Sequence, residues 1–477
     1  MKKLVTLLLA TLVTTGFAVA QENKALLDLL VRKKIITAEE AKVIQAEAVK
    51  EEAKEKEKFL AATSENKLKL TSSVTELKLG GDLRLRYQYE SKDPQTFTAV
   101  DGDTNVGSPT GSQRSRYRFR LRLNADFKLG KDFFGGVQLV TGQASDSDNQ
   151  TYENGFNDYD IFISRAYLGW KAADWLTVTA GKVPNPFYTT ELVWDADINP
   201  TGLTQSIKFH KLFSLEDEAD AGLSKDGKTV AAVPADRPWE LTVNLGEFLY
   251  DDNLESNFDS DSSDDAYLFA AQIVGTYKTD RAKFTFAPGV MFTNAADLSG
   301  LNNENSFTDT DVSGETRKFV VITAPGDVSF KLGNLPTKFY WDFAWNTQGK
   351  GRADDIYGLV THEVDGDPVN LTSAQDYFAW LVGLQLGENK KAGDWSFNLN
   401  FRSTGIAAVD PNLNESDFAL GELNTRGFKG GLFYNFTDFL NAGVTYMYGW
   451  NLNDDLAHFL GDANDVQILQ LDVNLKF

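Results

Sequence analysis

The chain has no cysteine in its 477 residues, so disulfide staples and thiolate metal sites are excluded. Histidine is nearly absent: His210, His362 and His458 lie in three different segments. A Ser–His hydrolase would need a serine and an orienting polar group beside one of them, and no spacing supplies that. No enzyme activity, catalytic residue, metal or cofactor is expected. Beyond residue 20 there is no stretch of about eighteen or more apolar residues, which excludes a spanning α-helix. Positive charge is also short, with 47 Lys and Arg against 68 Asp and Glu and a net charge of −21. A nucleic-acid partner requires a basic surface and is excluded on that ground. The acidic clusters Asp251-Asp252, Asp259–Asp265, Asp309 with Asp311, and Asp365 with Asp367 match no complete calcium-loop spacing, and read as solvated surface.

What is present points to export. Lys2 and Lys3 precede the apolar run Leu4–Val13, and Ala18-Val19-Ala20 offers a small-residue cleavage site, so residues 1–20 read as a signal peptide. An exported chain without a spanning helix crosses a membrane only as a closed barrel. Residues 21–65 differ from everything after them. Leu26, Leu27, Leu29 and Leu30 form an apolar helical patch, Thr37 to Glu40 reads as a capping box, and Ala, Glu and Lys dominate up to about Leu60. The thin apolar stripe Ala41, Ile44, Ala48 fits either an oligomerising coil or a solvated spacer. We expect a periplasmic helical segment.

From 75 to 477 the pattern changes to period two, the repeat of a strand with two unlike faces. In 116–129, Tyr117, Phe119, Leu121, Leu123, Ala125, Phe127 and Leu129 alternate with Arg116, Arg118, Arg120, Arg122, Asn124, Asp126 and Lys128. In the final stretch Leu469, Leu471, Val473, Leu475 and Phe477 alternate with Gln470, Asp472, Asn474 and Lys476. That is the form of a closing stave, apolar toward lipid and polar toward a lumen. Sixteen such segments follow one another, from 77–90 to 466–477. Their connections alternate between short (Gly130-Lys131-Asp132, Lys171–Asp174, Thr279-Asp280, Thr437-Asp438) and long, polar ones (91–115, 144–158, 250–265, 294–316, 348–374, 405–425, 451–465). This rhythm predicts an all-β, transmembrane, up-and-down antiparallel β-barrel of about sixteen strands, with short periplasmic turns and long outer loops. One connection, 214–238, breaks the rhythm, which puts either an insertion on the short-turn side or a misassigned sixth strand there. Trp170, Trp175, Trp239, Trp395 and Trp450 fall near strand ends, where interfacial aromatic belts sit.

The polar faces then line water. Arg84, Arg86, Arg116, Arg118, Arg120 and Arg122 make a basic ladder on two adjacent strands, with Arg165 extending it from the fourth. Two readings stay open: an anion-attracting wall, or a wall stiffened by ion pairs with Asp82, Glu90 and Asp126. After the fifth strand, Pro184 and Pro186 in Pro184-Asn185-Pro186-Phe187 cannot continue a ladder, so the chain leaves the wall. The segment is either a constriction loop whose Glu191, Asp195 and Asp197 face the basic wall, or an outer loop packed on its neighbours.

The residues Arg165-Ala166-Tyr167-Leu168-Gly169-Trp170, a short turn, Gly181-Lys182-Val183-Pro184-Asn185-Pro186-Phe187 and the Val193-Trp194-Asp195 run resemble the putative porin family of bacterial outer membranes, and more distantly the phosphate-selective porins. The leader, the helical segment and Phe477 fit the same resemblance. It implies a homotrimeric barrel in outer-membrane lipid and lipopolysaccharide, handed to the barrel-assembly machinery through its C-terminal strand. The implied function is passive passage of ions and small polar solutes. A loop-plugged barrel acting as an adhesin or envelope tether is the alternative.

Overall fold

In a computed structural model of the chain, the described residues are 33, 71–93, 111–142, 146–153, 155–212, 238–251, 266–293, 319–361, 373–454, 456–457 and 465–477. The expected signal peptide, residues 1–20, and, apart from Lys33, the segment 21–65 expected to be helical lie outside them.

Sixteen staves follow in order: β1 (Val74–Lys92), β2 (Ser112–Leu129), β3 (Phe133–Val140), β4 (Phe162–Ala173), β5 (Leu176–Lys182), β6 (Thr201–Lys208), β7 (Trp239–Asp251), β8 (Ala266–Lys278), β9 (Ala282–Phe286 and Gly289–Thr293), β10 (Val320–Thr323 and Gly326–Leu332), β11 (Leu335–Asn346), β12 (Phe378–Gly387), β13 (Trp395–Thr404), β14 (Thr425–Asn435), β15 (Leu440–Asn451) and β16 (Asp465–Lys476). Each pairs antiparallel with its neighbours, and β16 returns to β1 in a register running from Asp82 opposite Lys476 to Lys92 opposite Val466. The sheet is closed, so no edge is left to bond lipid or another chain.

β9 and β10 are interrupted at the same level by Pro288 and Pro325, which have no N–H to give the ladder. Their carbonyls still accept, Pro288 from Ile273 and Pro325 from Ala287, both at 2.9 Å, so the break stays local. The sixth stave stands where the period-two pattern places it and ends in a one-turn helix, Phe209–Leu212. The long connection after it, 213–237, lies outside the described residues.

Side chains divide between the faces by parity. On β16, Leu471 and Val473 are about half exposed, while Gln470 and Asp472 are nearly covered. Aromatics crowd both rims of the outer face. Phe133 stacks on Trp170, with Trp239 and Trp395 near the same rim, and Phe269 stacks on Phe292 toward the other. One expectation needs correction: the inner face is not polar throughout. Toward the long-loop ends of β7 to β12 it carries Phe248, Leu268, Ala270, Met291, Val321, Ala344, Ala379 and Leu381, all buried. Three inward segments cover this patch: 183–200 after β5, Gly349–Thr361 after β11, and 405–424 after β13. A dry core therefore occupies one side of the lumen, and the open space is displaced toward β1, β2 and β13–β16.

Candidate functional site

The loop after β5 runs round the inside of the wall. Pro184 and Pro186 release it from the ladder, and Asn185 turns it by accepting the Phe187 N–H at 2.9 Å. The Asn244 side chain of β7 donates to the Pro186 carbonyl at 3.0 Å, and the Phe187 ring packs edge-on against Phe248. Gln272 of β8 bonds both backbone groups of Tyr188 at 2.8 Å, and the Tyr188 hydroxyl donates to Asp327 of β10 at 2.5 Å. Thr190 donates to Asp342 of β11 at 2.7 Å. Glu191 accepts from Asn400 of β13 at 2.9 Å and pairs with Arg402 of β13 and with Lys429 of β14, the latter at 2.7 Å. Asp197 then reaches back to Arg122 of β2, and Asn199 accepts from Arg165 of β4 at 2.7 Å. A loop held at so many points of its circuit is part of the wall's architecture and has little freedom to move on its own.

Only Asp197 of the three loop carboxylates meets the ladder of β1 and β2. Glu191 faces a second basic pair, Arg402 and Lys429, which sequence reasoning missed. Asp195 faces the 405–424 loop, accepting the Ser416 N–H at 3.2 Å. That loop was expected on the outside; it folds inward because Ile406, Ala407, Ala408, Val409 and Leu413 cover the apolar inner patch. Its Glu415 pairs with Arg402 at 3.1 Å and with Lys429, and its Asp417 pairs with Arg86 at 3.1 Å.

Most of the basic ladder is matched by carboxylates. Arg86 is bidentate to Asp472 at 2.7 and 2.9 Å, Arg120 pairs with Asp82 at 2.7 Å, and Arg116 pairs with Glu90. Arg122 holds Asp148 at 2.5 Å as well as Asp197. Asp82 and Glu90 are thus ion-pair partners, and Asp126 pairs with no arginine among the described residues. Arg84, Arg118 and Arg165 bond neutral oxygens: Arg84 that of the Asn149 side chain, Arg118 those of Gln88, Ser147 and Asn149, and Arg165 that of Asn199. Burial, reinforced by Asp197 and Glu415, pushes the Asp195 carboxyl up to about 8 against the backbone donors of Asp197 and Ser416. Glu191 and Glu415 share Arg402 and Lys429. Burial opposes ionisation of both; the cations overcome it at Glu191, whose carboxyl is held below its ordinary range, while Glu415 is pushed above it beside the charge of Glu191.

Between wall and loops lies a polar cavity of about 460 Å³. Arg84, Arg86, Arg120 and Arg122 of the wall line it beside wall Asp472 and Lys429 and the loop carboxylates Glu191, Asp195, Asp197 and Asp417. His210 sits apart at the short-turn rim, its Nδ1 within 3.1 Å of the Leu241 carbonyl, and His362 and His458 lie outside the described residues.

No curated protein sequence matches the chain. Three solved barrels resemble it at low identity. The Salmonella typhi OmpF, solved with daunomycin, is 11% identical, with 86% of this chain and 99% of that one covered and a TM-score of 0.44. Pseudomonas putida OprB at high pH is 10% identical, with 84% and 94% covered and a TM-score of 0.45. The outer membrane channel DcaP of Acinetobacter baumannii is 14% identical, with 86% and 99% covered and a TM-score of 0.41. Residues 69–361, more than half of the chain, match the model of the family described as "Putative porin". The chain belongs to that family and is an outer-membrane channel.

Proposed function

We propose that the channel passes ions and small hydrophilic solutes by passive diffusion through the polar cavity, favouring solutes that carry a dipole. The observation that carries this reading is the polar cavity itself, lined by charged side chains of both signs from the wall and from the inward loops. Closely set charges of both signs around a wet space produce a local field that orients dipolar solutes and water. Pairing cancels much of the ladder, so selectivity between simple ions is weak, with a residual anion preference set by Arg84 and Arg118, which with Arg165 are the ladder guanidiniums bonded only to neutral oxygens. Phe187 and the two prolines serve as the anchor of the constriction loop, and the residues from Leu469 to Phe477 as the closing stave that the barrel-assembly machinery receives. The working form is a homotrimer in outer-membrane lipid and lipopolysaccharide, with the long loops outside and residues 21–65 in the periplasm.

Planar-bilayer recording tests the proposal. Open-channel steps are expected, and reversal potentials in a salt gradient shift toward cations in Arg84→Glu and Arg118→Glu. A barrel that serves as a tether gives no steps. Reversal potentials unmoved by both substitutions remove the anion preference and leave passive diffusion standing.

A further inference from the structure

The outer faces of β6 and β7 carry two polar side chains where lipid would allow none. Along β6, Thr204 and Ser206 turn inward, Ser206 donating to Asn244 at 2.8 Å, so Gln205 between them turns outward. Along β7, Asn244, Gly246 and Phe248 turn inward, so Glu247 turns outward, and it is exposed. Gln205 lies opposite Val178 and Leu245, with Leu203 and Ile207 above and below it on its own strand. Glu247 lies opposite Leu203 and Phe269, with Leu245 and Leu249 along its strand. Each is ringed by hydrocarbon, and the two are diagonal neighbours on adjacent staves. Neither has a hydrogen bond or ion pair among the described residues. Thr337, outward by parity on β11 but buried, turns its hydroxyl back to the Leu335 carbonyl at 3.2 Å, which satisfies it locally. Gln205 and Glu247 have no such exit.

We infer that the outer face of β6 and β7 around Gln205 and Glu247 is the seam at which a second copy of this chain docks. The inference rests on the homotrimeric reading above and gives it a location. A carboxylate or amide facing acyl chains is costly, and the cost is removed when a protein group supplies the missing hydrogen bond. An amide donor and a carboxylate acceptor on adjacent staves complement each other under rotation: the Gln205 amide of one copy donates to Glu247 of the next, and the relation repeats round a closed ring. The exposed Ala166 and Ala180, on β4 and β5 beside this patch, let a neighbouring wall approach closely.

The absence of cysteine makes the test clean. Gln205→Cys, Glu247→Cys and, as a control on the exposed outer face of β12, Val382→Cys are each made in the full chain, checked for heat-modifiable migration, and treated in outer membranes with a short bis-maleimide. Covalent dimers are expected at 205 and 247 and not at 382. In parallel, the Gln205→Leu/Glu247→Leu pair, which suits a lipid-facing wall, is expected to lose the SDS-resistant trimer while the monomer barrel stays folded. Trimers that persist with cross-links at 382 and none at 205 or 247 overturn the seam and leave the trimer intact. A chain that migrates as a monomer before any treatment, with no cross-link anywhere, overturns both. A doubly substituted trimer as resistant as the parent also overturns the seam, since it shows lipid or lipopolysaccharide against this face.

Discussion

Glu191, on the loop that leaves β5, lies 2.7 Å from Lys429 on β14, so this inward loop is bolted to a stretch of wall far from its own stave. The same carboxylate meets Arg402, which is almost fully covered, and Glu415 completes the square. Removing one member strands opposite charge. Loss of one partner from a fully buried pair costs about 3–5 kcal/mol, and the partial exposure of Glu191 reduces that to about 2 kcal/mol. Glu191→Ala is therefore expected to undock the middle of the loop and raise single-channel conductance with more frequent transitions. The Glu191→Ala/Lys429→Ala pair recovers part of the steadiness, because one stranded charge is gone. Conductance traces identical to the parent would detach the loop from the role assigned to this square.

The loop carboxylates Asp195, Glu191 and Glu415 make docking depend on pH. An acid whose folded pKa is raised keeps its proton in the native state where the undocked loop has already released it. Asp195, raised from an ordinary value near 4 to about 8, therefore weakens docking progressively as pH rises through that window, and the penalty is constant above it. Glu191, held low by Arg402 and Lys429, acts in the opposite sense: its contribution is present above the ordinary carboxylate range and fades as pH falls below it. Docking is expected to be firmest in mildly acidic solution and looser near pH 9. Asp195→Asn removes its share of the alkaline weakening, leaves the smaller share of Glu415, whose carboxyl is also raised, and leaves the acid limb. The check is protease nicking of the loop at pH 5 and pH 9 in parent and variant.

Closure of the barrel turns on Gly81. Its N–H donates to the Phe477 carbonyl at 2.8 Å, its carbonyl accepts from the Phe477 N–H at 3.1 Å, and the Phe477 ring lies over the space where a side chain would stand. A Cβ built there would be 2.3 Å from the Arg122 carbonyl oxygen and 2.8 Å from the ring. An overpacked seam of this kind costs about 1–3 kcal/mol, enough to lower the folded fraction about tenfold. Gly81→Val should give less heat-modifiable barrel in the outer membrane, and Gly81→Val/Phe477→Ala should recover only part, since the Arg122 carbonyl remains in the way.

The staves were legible because alternation is a local property: Arg116 to Arg122 and Leu469 to Phe477 declare their two faces within a few residues. The dry side of the lumen was not, because β8 (Leu268, Phe269, Ala270, Ala271) and β12 (Ala379, Trp380, Leu381, Val382) are apolar on both faces there, and parity cannot show which face meets lipid. The inward loop after β13 did leave a mark, the apolar run Ile406 to Val409 inside an otherwise polar connection. Its meaning depends on the patch it covers, and that patch is assembled from strands far away in sequence. The basic ladder was visible in the sequence as a row of arginines, but the field it makes was not. Whether Arg122 stands free or holds Asp148 and Asp197 depends on two loops that no period describes.

The dry core makes one further prediction, separable from the charges. Trp194 is almost fully covered, packs against Phe187 and Phe248 at ring separations of 6.4 Å, and donates its indole N–H to the Ile198 carbonyl at 3.1 Å. It holds the loop's own turn closed while filling the apolar inner patch. Replacing a buried Trp by Ala costs about 3–5 kcal/mol at a site that cannot collapse. Here that loss falls mainly on the loop, because the sixteen staves are held by their ladders and Phe248 of β7 meets the indole only through its side chain. Trp194→Ala is thus expected to widen the channel without lowering the temperature at which the barrel unfolds. Larger open-channel steps with unchanged heat-modifiable migration are the predicted pair of results. A barrel that melts early would place Trp194 in the stability of the wall itself, and a parent-like step size would mean that the ion pairs of Glu191 and Asp197 hold the loop without it.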